Sequence, residues 1–119
     1  MAEKHVLGKI GEKLAVEHLQ KIGYEILEQN YRFMKAEVDI IAKRKDILIA
    51  VEVKTRSTPE FGDPHEFVKP KQIQRLVQAV NHYIRKEDLD VEVRFDIISI
   101  IKNKAGTRIE HLEDAFYYF

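Results

Sequence analysis

The chain has 119 residues, with 20 Lys plus Arg against 20 Asp plus Glu, 45% hydrophobic residues and no cysteine. That length and apolar fraction suit one domain with its own core, residues 1–119, and exclude a charged disordered tail; the missing cysteines exclude a disulfide scaffold, a zinc ribbon and a thiol nucleophile. Cancelled charge excludes a uniformly basic nucleic-acid binder, so any such contact must rest on a local patch.

Met1 to His5 are polar or charged at most positions, and charges break the stretch from Val6 to Ile22 throughout. This reads as neither a signal peptide nor a membrane span, and a cytoplasmic protein without membrane contact is expected. The same stretch is a helix: Leu7, Ile10, Leu14, Ala15, Leu19 and Ile22 follow the spacing of one buried face. Gly23 follows, where a left-handed cap belongs. Gly8 and Gly11 each cost about 1 kcal/mol against Ala inside a helix. Either the helix starts after Gly8 or this turn needs a close approach. Tyr24 to Leu27 reads as a short strand, and Asn30-Tyr31-Arg32 as a turn or irregular edge.

Glu37 to Ala42 and Ile47 to Lys54 are rich in β-branched residues and predict a β-hairpin. A Lys45-Asp46 turn pairs Val38 with Val53, Ile40 with Val51 and Ala42 with Ile49 on one apolar face. On the other, Ile41 meets Ala50, Glu37 meets Lys54 and Asp39 meets Glu52. A slip of two residues keeps the faces. Opposed Cβ atoms lie roughly 4.5–5.5 Å apart. Two ionised carboxylates there repel, and folding alone gives no reason for the pair. A divalent cation gives one, since Mg²⁺ takes one or two protein carboxylates and completes its shell with water and phosphate. Lys54, on the same face, can hold a water or meet charge developing on a phosphate. The competing reading is a solvated hairpin face with a Glu37–Lys54 ion pair.

The stretch Thr55 to Pro70 is loop-like, holding Pro59, Gly62, Pro64 and Pro70. Its Phe61 and Phe67 either stack on a base or pack the loop down, and His65 is a weak ligand candidate. A second helix starts at Pro70, with Ile73, Leu76, Val77, Val80, Tyr83 and Ile84 on its apolar stripe. Arg56, Lys69, Lys71 and Arg75 cluster around its start and form the best phosphate-binding patch. Val91 to Ile101 is a further strand and Arg108 to Leu112 another. Asp96 reads as a structural ion-pair partner of Arg94 or Arg32. The aromatic end, Tyr117-Tyr118-Phe119, is expected to dock on the body or on a second copy in a homodimer. The order α-β-β-β-α-β(-β) predicts an α/β fold with a mixed central sheet flanked by helices.

Asp39 followed by Glu52-Val53-Lys54 resembles the D…(D/E)-x-K signature of restriction-endonuclease-like nucleases. From Gly8 to Phe116 the chain resembles more closely the YraN-like family of small bacterial proteins with that fold. The landmarks are Gly8, Gly11-Glu12, Ala15, Leu19 and Gly23; Asn30-Tyr31-Arg32; Glu37 to Ile41; Val51 to Arg56; Lys71; Arg94-Phe95-Asp96; and Ala115-Phe116. The family's glycine before the first acid is Ala36 here. The resemblance implies the restriction-endonuclease-like fold and a candidate metal site. In related Holliday-junction resolvases a helix glutamate completes that site, and Glu12 matches its position. The expected protein is a Mg²⁺- or Mn²⁺-dependent nuclease: Asp39 and Glu52 bind metal, Glu12 assists, Lys54 orients the nucleophile, and the substrate is DNA, with branched DNA suggested by the resolvases. The alternative is a non-catalytic nucleic-acid-binding or assembly module on the same fold.

Overall fold

The computed structural model describes residues 2–58 and 69–115, with side chains described from Val6 onward. The elements are α1 (Ala2–Lys21), β1 (Glu25–Phe33), β2 (Ala36–Arg44), β3 (Ile47–Arg56), α2 (Pro70–Glu87), β4 (Glu92–Asn103) and β5 (Gly106–Leu112). This is the expected mixed α/β order. The five strands lie side by side in sequence order. Only β3 and β4 are parallel; β1–β2, β2–β3 and β4–β5 are antiparallel. The parallel pair requires a long crossover, which the segment containing α2 supplies. None of the described helices is long and apolar enough to cross a membrane.

The sheet is buried on both faces at its centre, which is why β3 and β4 read as nearly continuous apolar runs. Ala15 and Leu19 of α1 cover Ile40, Ala42, Ile49, Val51, Ile98 and Ile100. Leu76, Val80 and Tyr83 of α2 cover Val38, Ile41, Leu48, Ala50, Phe95 and Ile97 on the other side. Gly23 ends α1 at φ 95°; its N–H donates to the Gln20 carbonyl, and that of Tyr24 donates to Leu19. This is the left-handed cap that the sequence predicts.

Three expectations are corrected. Strand β1 runs on to Phe33, through the segment expected to turn. An extra residue at Leu27 and a left-handed Asn30 (φ 53°) break its alternation, so no two-residue period shows in the sequence. The expected loop loses its start, because Thr55 and Arg56 belong to β3, while α2 begins at Pro70 as expected. Phe61, His65 and Phe67, like Phe116 and Tyr117-Tyr118-Phe119, lie outside the described residues. Finally, Val38 does not share a face with Ile40. It packs beneath α2 while Ile40 packs beneath α1, so β2 changes face at Asp39.

Both questioned glycines lie inside α1, and the close approach belongs to Gly11 alone. A Cβ on Gly11 would fall 1.8 Å from Thr55 Oγ1 and 2.7 Å from its Cβ, whereas one on Gly8 meets nothing within 4 Å. Thr is branched at Cβ and cannot swing clear. Gly11→Ala is therefore expected to destabilise by about 1–3 kcal/mol, and Gly8→Ala to stabilise by up to about 1 kcal/mol. Melting curves of the two variants check this; matching shifts would mean that the Thr55 contact constrains nothing.

Candidate functional site

Strands β2 and β3 pair in the expected register from Arg44↔Ile47 up to Ile40↔Val51, where their ladder ends. Beyond that point β3 continues against β4 alone, with Glu52↔Ile97 and Lys54↔Ser99. Asp39 sits where the strands part. Its Oδ2 accepts the Val53 N–H at 2.8 Å, so a carboxylate satisfies a backbone donor at the point where the strand pairing stops. Asp39 and Glu52 are thus not a cross-strand ladder pair, but they line one pocket.

That pocket has a volume of about 330 Å³ and is walled by Lys35, Glu37, Asp39, Glu52, Gln72 and Arg75, with Ala36 and Leu76 beneath. Glu52 is only 9% exposed. Its Oε1 accepts from Gln72 Nε2 at 3.5 Å and lies 3.4 Å from Lys54 Nζ. Glu37 does not pair with Lys54 as the hairpin reading had it; its partner is Arg32 Nε at 2.8 Å, because Arg32 lies directly across β1–β2.

Burial pushes the Asp39 carboxyl up to about 7; the charge on Glu52 adds to this, the Val53 N–H opposes it, and Glu12 and Glu37 raise it further. Burial also raises Glu52, against the Lys54 ammonium, its hydrogen bond and that of Gln72. Glu12 therefore reaches this site electrostatically from α1, one residue beyond the Gly11–Thr55 contact that seats the helix on β3.

The sign of the resulting pH dependence is fixed. An acid whose folded pKa is raised adds stability that is fully present below its unfolded value, near 3.9, and is lost as pH rises to about 7. In chelator, the parent should lose stability over that interval relative to Asp39→Asn, in which the group cannot ionise. Denaturant titrations at several pH values check this; parallel curves for the two proteins would contradict it.

Of the proposed phosphate contacts, Arg75 lines the pocket. Lys69, the N-cap of α2, and Lys71 in its first turn are exposed, and Arg56, two residues beyond Lys54, is half-covered. Sequence reasoning missed Lys35 and Gln72. Gln72 shares a helix face with Arg75 and Leu76, a spacing that could have found it; Lys35 had no signal beyond its nearness to Glu37.

A second polar group lies on the α1 side of β4. Asp96, fully buried, accepts from Arg94 Nε and Nη2 at 2.9 Å each, from His111 Nε2 at 2.8 Å and from the Asp114 N–H at 3.0 Å. Arg94 also donates to Tyr24 and Glu113, and His18 meets the other nitrogen of His111 at 3.1 Å. Burial alone would raise Asp96, but the hydrogen bonds from His111, Arg94 and Asp114 bring it below the usual carboxylate value. Among the described residues, Asp96, His111 and Glu113 each offer a ligand atom within 4.8 Å of the others, a group that could hold a metal ion. Arg94 Nη2 already bridges two of them, donating to Asp96 Oδ2 at 2.9 Å and to Glu113 Oε2 at 3.1 Å. The expected Arg94–Asp96 ion pair is present; the two histidines that extend it were not foreseen.

The model of UPF0102, an uncharacterised protein family, matches residues 11–100. A UPF0102 protein of Christiangramia forsetii is 73% identical over 119 residues, covering 100% of both chains. Another from Flavobacterium psychrophilum is 60% identical over the same length, and one from Phocaeicola vulgatus is 43% identical over 98% of this chain and 97% of its own. Among solved structures, SfsA of Pyrococcus furiosus in complex with Ca²⁺ aligns over 92% of this chain and 63% of its own at 14% identity and a TM-score of 0.36, too distant to inform the site.

Proposed function

The chain belongs to the uncharacterised protein family UPF0102, and we propose that it is a divalent-metal-dependent nuclease that hydrolyses phosphodiester bonds in DNA, branched DNA included. The observation that carries this reading is the pair of carboxylates, half-buried Asp39 and buried Glu52, lining one pocket with Lys54 Nζ 3.4 Å from Glu52. Their raised pKa values mark an arrangement that is costly without a counter-charge.

The donor set suits Mg²⁺ or Mn²⁺: hard oxygens, two acids and room for water and phosphate. Asp39 commits one oxygen to Val53 and Glu52 one to Lys54 and Gln72, so each keeps a second. A bound ion supplies Lewis-acid polarisation and an acidified water. Val53 N–H fixes the Asp39 carboxylate. Gln72 and Lys54 orient Glu52, and Lys54 meets negative charge as it develops on the phosphate. Glu12 adds negative charge from the α1 side. Arg75 and Lys35 hold the flanking phosphate, supported by the N-terminal end of α2, whose first turn carries no acid.

The test is incubation with single-stranded, duplex, flap and four-way-junction DNA in Mg²⁺, in Mn²⁺ and in chelator. Metal-dependent cleavage that disappears in Glu52→Gln is the expected result. DNA binding without cleavage in either metal would instead favour the non-catalytic module.

A further inference from the structure

Beside the pocket holding Asp39 and Glu52 lies a smaller one of about 150 Å³, lined by Phe33, Met34, Lys35, Ala36, Arg75 and Gln78. The two pockets share Lys35, Ala36 and Arg75. A cationic wall therefore stands between a site built for metal and phosphate and a neighbour with an aromatic ring, a thioether and one amide. The neighbour is well below the 300 Å³ or so at which pockets for drug-sized ligands begin, and it suits a single planar ring.

One of its apolar members, Met34, sits where folding alone would not place it, while Phe33 packs against the α2-side core. Met34 is 84% exposed, far more than any other exposed large hydrophobic residue described, and it has a left-handed backbone (φ 56°) at the β1–β2 turn. Gly or Asn suits that conformation better, and a polar side chain suits that exposure better. Phe33 is held in place by stacking on His82, with ring centroids 4.1 Å apart and planes 20° apart. His82 is itself anchored by a 2.7 Å hydrogen bond to the Tyr31 hydroxyl.

We infer that this second pocket is a nucleobase subsite: one unpaired base of the DNA packs against Phe33 and Met34, with its edge toward the Gln78 amide, while Lys35 and Arg75 hold the phosphate that leads into the metal pocket. The inference rests on the nuclease reading for the role of the adjacent pocket. It also narrows the substrate, because a base within a duplex cannot enter such a pocket without leaving its stack. The preferred DNA is single-stranded, or has an unpaired nucleotide next to the cut bond.

The test compares binding of a fluorescein-labelled single strand with that of a duplex of the same sequence, both in Ca²⁺, for the parent, Met34→Gly and Gln78→Ala. Glycine accepts the turn conformation, so Met34→Gly should fold. The parent should favour the single strand, and each variant should lose about tenfold of that preference, the scale of one base–side-chain contact. A parent that binds duplex as tightly as single strand, or binds neither, overturns the inference, as do variants that weaken both DNAs equally. Cleavage in Mn²⁺ is scored separately. Cleavage without single-strand preference leaves the nuclease standing and removes the subsite; preference without cleavage does the reverse.

Discussion

Lys54→Ala should lose DNA cleavage by a factor on the order of 10²–10³, the usual effect of removing one preorganised charge contact, while retaining the parent's Mn²⁺ affinity. Lys54 Nζ lies 3.4 Å from Glu52 Oε1, and the side chain is 33% exposed. If it served only that ion pair, the half-open geometry would make it worth at most about 1 kcal/mol of stability, and cleavage would survive. The two roles therefore differ in what they move: a structural lysine shifts the melting midpoint, whereas one that meets the phosphate shifts turnover. Single-turnover rates alongside Mn²⁺ titration separate them. Full cleavage by Lys54→Ala would remove the lysine from the mechanism.

Asp96→Asn should cost on the order of 3–5 kcal/mol in stability, as removing one partner from a buried ion pair does. Four donors converge on this carboxylate, and it has no solvent exposure with which to compensate. Without the Asp96 charge, the half-exposed Glu113 is the anionic partner left to Arg94 beside the Tyr24 hydroxyl, and the link from β4 through His111 to His18 on α1 weakens. Chemical denaturation measures the loss. A change below about 1 kcal/mol would mean that the network is solvated and that α1 is held by its apolar face alone.

These two side chains show how far the sequence could be read. The hairpin and its turn were legible because β2 and β3 are β-branched runs around a short turn, and a one-residue slip would expose the apolar face; a two-residue slip would not, so the sequence favoured the observed register without fixing it. The pocket's acids were legible for the same reason: like charges recur on one side of an apolar pair of strands. The parting of β2 from β3 was not. It depends on β3 continuing against β4, a strand from a distant part of the chain, and on Asp39 taking the Val53 N–H. The change of face at Asp39 follows from the same local event, and no two-residue period can encode it. The Arg94–Asp96–His111–His18 network joins β4, β5 and α1, so neither histidine carried a local signal. Lys35 lies on the pocket wall because a β-turn places it there, and turn residues have no periodicity to read.

Mn²⁺ binding at neutral pH, followed by electron paramagnetic resonance in the parent, Asp39→Asn and Glu113→Gln, decides whether the Asp39–Glu52 pocket is the metal site. The parent and Glu113→Gln should bind, and Asp39→Asn should lose at least tenfold in affinity. Binding that survives in Asp39→Asn but fails in Glu113→Gln would place the ion at the Asp96 group, and the nuclease site would not stand.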